Sequence, residues 1–306
     1  MKVRAHTLAA GLAALALTVT ACGQSGSPQP ATPGGSGAAS SSAAAKPNYP
    51  VASNVSLTGS PTFDKAKAAG KLVVGVKFDQ PGLGQLRAGQ SKPQGFDVEI
   101  ATMLAANLGF SPDQITFTET VTANREPFLQ NGTVNLVVAT YTINDKRKQV
   151  VDFAGPYYVA GQDLLVAKNN TDITGPDSLG GKKVCSVDGS TPASAIKTKY
   201  PTAQLITFDT YSKCIEQLTT NAVDAVTTDD AILRGYAAAQ PDAFKVIGKP
   251  FSVEPYGIGL PKGDTALRTF LNTALKADQD SGQWKQAFEF TLGPATGVSP
   301  PPIVQY

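Results

Sequence analysis

The heptapeptide VNLVVAT, Val134–Thr140, is echoed by VDAVTTD, Val223–Asp229, at a constant offset of 89 residues (223 minus 134). Leu129, Val134, Leu136, Val137 and Thr140 fall on Leu218, Val223, Ala225, Val226 and Asp229. Each copy reads as a helix end, a tight turn and a short apolar strand whose last residue turns polar. Short apolar runs bounded by turns are strands buried on both faces, as in sheets covered by helices. Two copies predict two α/β lobes. In open α/β sheets ligands gather beyond the carboxyl ends of the strands, so Thr140 and Asp229 mark where each lobe would meet one.

Working outward, strand and helix alternate. Thr62 is placed to cap a short helix that stops at Gly70, and KLVVGV follows as a buried strand. GFDVEIATMLAANLG reads as a helix capped by Asp97, with Glu99 in its first turn, an apolar face from Val98 to Leu108, and Gly109 as its stop. ITFTET, a helix near Ala123 to Asn131 and VNLVVA complete a βαβ order, which predicts an open, mostly parallel sheet covered by helices. The pattern breaks at GPYYVAGQ and again at GKPFS, where Gly and Pro suit chain crossings. The predicted organisation is lobe 1 from residues 62–159 plus 250–306, lobe 2 from 160–249, and a two-strand hinge. YGIGLPKGD and a C-terminal helix from about Thr265 return to lobe 1.

The N-terminus has a different character. Lys2 and Arg4 precede an uncharged run, Thr7 to Ala21, that is too short for a stable bilayer span, so residues 1–21 read as a signal peptide. It ends in VTAC, which resembles the lipobox of bacterial lipoproteins and makes Cys22 the expected lipidated residue; a non-lipidated signal is the alternative. Residues 22–61 read as the lipidated cysteine and a disordered tether, because Gly23 to Ala45 carries no charge and nothing able to build a core. A flexible chain of that length spans roughly 35 Å. The reading places the protein outside the cytoplasm, held to the outer face of the membrane.

Charge and sulfur are informative once that leader is removed. The chain has 26 Lys+Arg against 24 Asp+Glu, and loss of Lys2 and Arg4 balances them. No basic excess points to nucleic acid. The one histidine, His6, lies in the leader, leaving no imidazole for a nucleophile pair or a metal site. Cys185, in the apolar strand KKVCSV, and Cys214, on a helical face with Tyr211, Ile215 and Leu218, are expected to pair in an oxidising compartment; two reduced core cysteines are the alternative. Gly82-Leu-Gly84 lacks the third glycine of a dinucleotide fingerprint, there is no phosphate loop, and the aromatic residues are scattered, so no cofactor is expected.

At Gly95-Phe-Asp-Val-Glu-Ile, followed by Leu104 and Ala105, the chain resembles the bacterial extracellular solute-binding proteins of family 3, which bind polar amino acids for ABC importers. TYTINDKRKQVVDFAGPYY, SVDGST, AVTTDD and YGIGLPKGD resemble further blocks of that family in the same order, from Thr62 to about Leu292. KFDQPGLG, ANREPFLQNG and the cysteine pair look most like the glutamate-binding lipoproteins of actinobacteria. The resemblance implies a two-lobe binding protein, a monomer without catalytic residues, that closes on L-glutamate or L-aspartate and serves a membrane ABC permease. The alternatives are a sensor subunit on a signalling membrane protein, a glutamine-preferring binder, or a dehydratase-like enzyme on the same fold.

The residues supply reasons for particular roles. Arg147 offers a planar fork that fits the ligand α-carboxylate, with Thr140 and Thr142 beside it; on its own the run DKRK would read as a solvated face. Asp229 is the natural partner of an α-ammonium, or else the cap of the next helix. Thr191 opens a helix whose free N–H groups favour a carboxylate, or merely caps it. Lys77 and Arg125 suit a second carboxylate, with solvent-reaching side chains as the alternative. Gln80 and Arg87 are weaker candidates in the same loop. Tyr158 and Tyr256 read as core or hinge residues.

Overall fold

The computed structural model describes residues 44–306. The expected signal peptide, Cys22 and the tether up to residue 43 lie outside the described residues. The last part of the expected tether is corrected: Tyr49 Oη donates to Glu99 Oε2 (3.0 Å), Ala52 N donates to Ala106 O (2.9 Å), and Tyr49, Val55 and Leu57 pack on the core. These apolar anchors are what the preceding Gly/Ser/Ala run lacks. The first helix, Pro61–Ala68, is capped by Ser60 rather than Thr62, with Ser60 Oγ accepting from Phe63 N (3.1 Å). Pro61 fixes the start, since its ring presets the helical φ and it has no N–H to leave unpaired.

Two five-stranded sheets organise the rest. The first runs Ile115–Glu119, Leu72–Val76, Leu136–Val137, Glu254–Pro261, Val151–Ala160. The second runs Phe244–Val246, Gln162–Ala167, Ala225–Asp229, Lys183–Val187, Gln204–Phe208. The strands predicted by the βαβ order pair in parallel, Leu72–Val76 with both its neighbours and Lys183–Val187 with both of its own. The remaining pairs are antiparallel, so each sheet is mixed. The antiparallel strands are those adjoining the two crossings, where the chain leaves one lobe and returns to it.

The crossings lie side by side. Val151–Ala160 and Glu254–Pro261 form a long antiparallel ribbon, Glu254 opposite Ala160. Beyond it, Gly161 touches the returning chain so closely that a Cβ there would lie 2.7 Å from Ser252 O and from Pro250 Cβ. Only glycine permits that approach.

Trp284 and Phe288 stack at 5.4 Å, Phe96 meets both edge-on at 5.6 Å, and Trp284 Nε1 donates to Tyr157 O (2.8 Å). Such aromatic pairs contribute about 0.5–1.5 kcal/mol each beyond their burial. In the second lobe Cys185 and Cys214 are disulfide-bonded with Cα atoms 5.5 Å apart, tying helix Tyr211–Thr219 to strand Lys183–Val187. For a loop with this sequence separation of 29, chain entropy sets a ceiling of roughly 3–4 kcal/mol on the stabilisation.

Candidate functional site

Thr140 follows strand Leu136–Val137 and Asp229 ends strand Ala225–Asp229, and both line a small cavity between the sheets. The first lobe also contributes Arg125, Thr142 and Arg147, and the second contributes Thr191 and Tyr211. A larger recess on the outer face of the first lobe, between residues 46–49 and helix Phe96–Asn107, contains none of these residues.

Thr140 has φ of +44°, a left-handed conformation uncommon outside glycine. Asp97 holds it there. Its carboxylate accepts from Thr140 N (2.8 Å) and from Tyr157 Oη (2.7 Å), and is fully buried. The expectation that Asp97 caps its helix is therefore corrected, since the helix begins at Phe96 with Gly95 as the cap and the carboxylate turns inward. Burial raises the Asp97 carboxyl to about 7, against its two hydrogen bonds.

The turned backbone at Thr140 presents carbonyls to Arg125. Its Nη1 donates to Ala139 O and Thr140 O (both 3.1 Å), its Nε donates to Thr122 O (3.2 Å), and the guanidinium lies 4.3 Å from the Tyr141 ring. Arg125 is 3% exposed. Among the described residues it has no ion-pair partner, and its Nη2 has no hydrogen-bond acceptor. Arg147, also over Tyr141 at 5.1 Å, is engaged differently. Its Nε pairs with Glu126 (3.2 Å), Nη1 donates to Thr142 O (2.7 Å), and Nη2 donates across the cleft to Gly189 O (3.0 Å). Of the five guanidinium N–H groups one remains on each terminal nitrogen. Burial, with Arg125 nearby, lowers the Arg147 pKa to about 10, which leaves it a cation.

Lys77 stands one residue behind the wall, its Nζ donating to Thr122 Oγ1 (2.8 Å), and Thr122 itself faces the cavity. Burial and then Arg125 lower the Lys77 pKa to about 7. Gln80 is buried, accepts from Thr140 Oγ1 (3.2 Å), and leaves its Nε2 unpartnered among the described residues. Arg87 is corrected: it is exposed, bonds to Gln85 Oε1 (3.0 Å), and lies off the cavity, because the ribbon Asp79–Gln80 with Gly84–Gln85 turns it to the outside.

Across the cleft, Asp229 is 3% exposed. Its Oδ2 accepts from Tyr256 Oη (2.7 Å), while Oδ1 is buried without a partner among the described residues. It occupies the cap position of helix Asp230–Ala239, yet its side chain makes no capping bond. Burial, then the Glu254 charge, raises its pKa to about 8. Thr191 Oγ1 sits 3.5 Å from Thr142 Oγ1 and donates to Glu254 Oε2 (2.7 Å), while the cap of its helix is Ser190. Tyr256, read as core or hinge, is fully buried and also reaches Asp229.

Sequence reasoning missed Thr122, Glu126, Tyr141 and Ser190 as site residues and gave Tyr211 only a core role. Tyr141 carried a signal, an aromatic between two threonines at a strand end, and here two guanidinium groups lie over its ring. The cavity thus sets two buried guanidinium groups, that of Arg147 already paired with Glu126, and Lys77 behind them, against the buried Asp229 carboxyl. Such a set can bind a small zwitterion bearing additional negative charge.

Residues 72–292 match the family described as Bacterial extracellular solute-binding proteins, family 3. The chain is 40% identical over 234 residues to the glutamate-binding protein GluB of Corynebacterium efficiens, covering 73% of this chain and 79% of that protein. It is 37% identical over 229 residues to the ABC transporter glutamine-binding protein GlnH of Bacillus subtilis, covering 74% and 83%. Among solved structures, an ancestral arginine-binding protein bound to glutamine superposes with a TM-score of 0.69 at 34% identity, covering 73% of this chain and 98% of that one.

Proposed function

Since the chain belongs to the bacterial extracellular solute-binding proteins, family 3, we propose that it captures an acidic L-amino acid, glutamate ahead of aspartate, between its lobes and delivers it to an ABC importer. The observation that carries the reading is Arg125, a buried guanidinium with no carboxylate partner among the described residues, facing the same cavity as the unpaired Asp229 Oδ1. The ligand ammonium pairs with Asp229. Its α-carboxylate takes the remaining terminal N–H groups of Arg147, flanked by Thr142 and Thr191. The second carboxylate takes Arg125 Nη2, with Lys77 behind it. A glutamine-preferring binder is the second reading, favoured by the likeness to the Bacillus subtilis glutamine-binding protein.

A thermal-shift panel of the twenty amino acids tests the class of ligand, because a ligand that binds only the folded protein stabilises it by RT ln(1 + [L]/Kd). Glutamate should give the largest shift and aspartate the next. No shift with any amino acid would contradict the reading. The proposed anchor is tested separately: Cys22→Ser should move the protein from the membrane fraction to the soluble fraction, and undiminished membrane retention would remove the lipid from the account.

Acidity separates the two ligands further. An ammonium beside Asp229 favours its ionised form, so affinity for any amino acid should rise as pH approaches the Asp229 value of about 8. A second carboxylate favours protonated Lys77, a gain lost as pH rises through about 7. The Asp229 contribution is common to glutamate and glutamine and cancels in their ratio. The glutamate-to-glutamine affinity ratio should therefore fall between about pH 6 and about pH 9, by up to roughly tenfold per unit above 7. Calorimetry at several pH values checks this, and a constant ratio would detach Lys77 from the ligand.

A further inference from the structure

The loop that carries Lys77 and Gln80 also reaches the other lobe. Asp79 Oδ2 accepts from Tyr211 N (2.9 Å) and Ser212 N (3.2 Å), the first two amides of helix Tyr211–Thr219. The carbonyl oxygen of Asp79 accepts from Tyr236 Oη (2.6 Å), on helix Asp230–Ala239. Thr210, the cap residue of helix Tyr211–Thr219, makes no capping bond with its own side chain. The acceptor for these amides comes instead from the opposite lobe. Two residues beyond Asp79, the Pro81 carbonyl lies against Gly235, where a Cβ would stand 2.2 Å from the oxygen. Any side chain at position 235 would hold the lobes apart there.

We propose that Asp79–Pro81 is a clasp that holds the lobes together, with Asp79 as a positioning residue that fixes Tyr211 as a wall of the cavity and Gly235 as the socket for the loop. This rests on the reading that ligand is captured by lobe closure. Asp79 and Pro81 line no part of the cavity, so their contacts stabilise the closed state equally for every ligand. An N-terminal cap carrying a charge shifts an equilibrium by roughly tenfold. Because these contacts form only as the lobes come together, the effect falls on dissociation rather than on encounter.

The test uses the full chain with Asp79→Ala, Asp79→Asn and Gly235→Ala. Stopped-flow measurements should show glutamate dissociating roughly tenfold faster from Asp79→Ala, with association changed less than about twofold. Asp79→Asn keeps an acceptor oxygen and should fall between Asp79→Ala and the parent. The glutamate-to-glutamine affinity ratio should stay at its parental value in all three. Gly235→Ala adds a better helix former, so its Tm should be at least that of the parent while its dissociation also quickens. Unchanged dissociation in both alanine variants, or a shifted ligand ratio, overturns the clasp. Hydrogen exchange at saturating glutamate decides the same point: the Tyr211 and Ser212 amides should exchange about tenfold faster in Asp79→Ala while those later in the helix do not. Equal protection overturns the clasp, whereas failure of the parent to bind any amino acid would overturn only the proposed function.

Discussion

Arg147→Ala should weaken glutamate, aspartate and glutamine alike, by about a thousandfold or ~4 kcal/mol, because it removes the buried partner of the carboxylate they share. It also removes the Nη2 bond to Gly189 O, which joins the lobes whatever ligand is bound. The loss should therefore be indifferent to side chain. Calorimetric titration of the three ligands checks it, with the variant's thermal melt as the control for folding. A factor that differs strongly between ligands would move Arg147 from the α-carboxylate to the side-chain end of the site.

Arg125→Ala should behave in the opposite manner. Glutamate should lose roughly a hundredfold or more, while glutamine loses less than about tenfold, because only glutamate brings the second charge that this guanidinium lacks in the protein. Arg125 also braces the backbone through Ala139 O and Thr140 O, so a modest loss common to both ligands is built into the expectation. Arg125→Met keeps the stem and the contact with Tyr141 while removing the charge, and should reproduce the narrowed gap. A gap that survives both variants would remove Arg125 as the residue that reads the side chain.

The parts of the site legible in the sequence are those written locally. Thr140 and Asp229 could be found because two strand ends repeat a pattern, and a strand end in an α/β sheet already points toward a ligand. Arg147 was singled out by the resemblance, since on its own the run DKRK reads as a solvated face. Asp97 shows where local reading fails: an acid at the start of an apolar helix has the same signature whether it caps that helix or, as here, reaches 43 residues along the chain to hold Thr140 in a left-handed turn. Arg87 failed for the reverse reason. It shares a loop with Lys77, but the short ribbon after Asp79 faces it outward, and no periodicity in KFDQPGLG records that turn.

The fold divides along the same line. The parallel strands followed from alternation of strand and helix, whereas the antiparallel direction of Gln162–Ala167 and Glu254–Pro261 depends on how the chain returns through two crossings, which is a tertiary matter. Likewise Tyr49, Val55 and Leu57 were too sparse among polar neighbours to signal order, and their packing on the first lobe depends on a surface assembled from helix Phe96–Asn107.

The central claim is that a buried, unpaired guanidinium selects a second carboxylate. Side-by-side calorimetric titration of the parent protein with L-glutamate and L-glutamine near neutral pH tests it most directly. The account predicts one-site binding of both, with glutamate tighter by roughly tenfold to several hundredfold. Glutamine bound as tightly as glutamate, or more tightly, would contradict it.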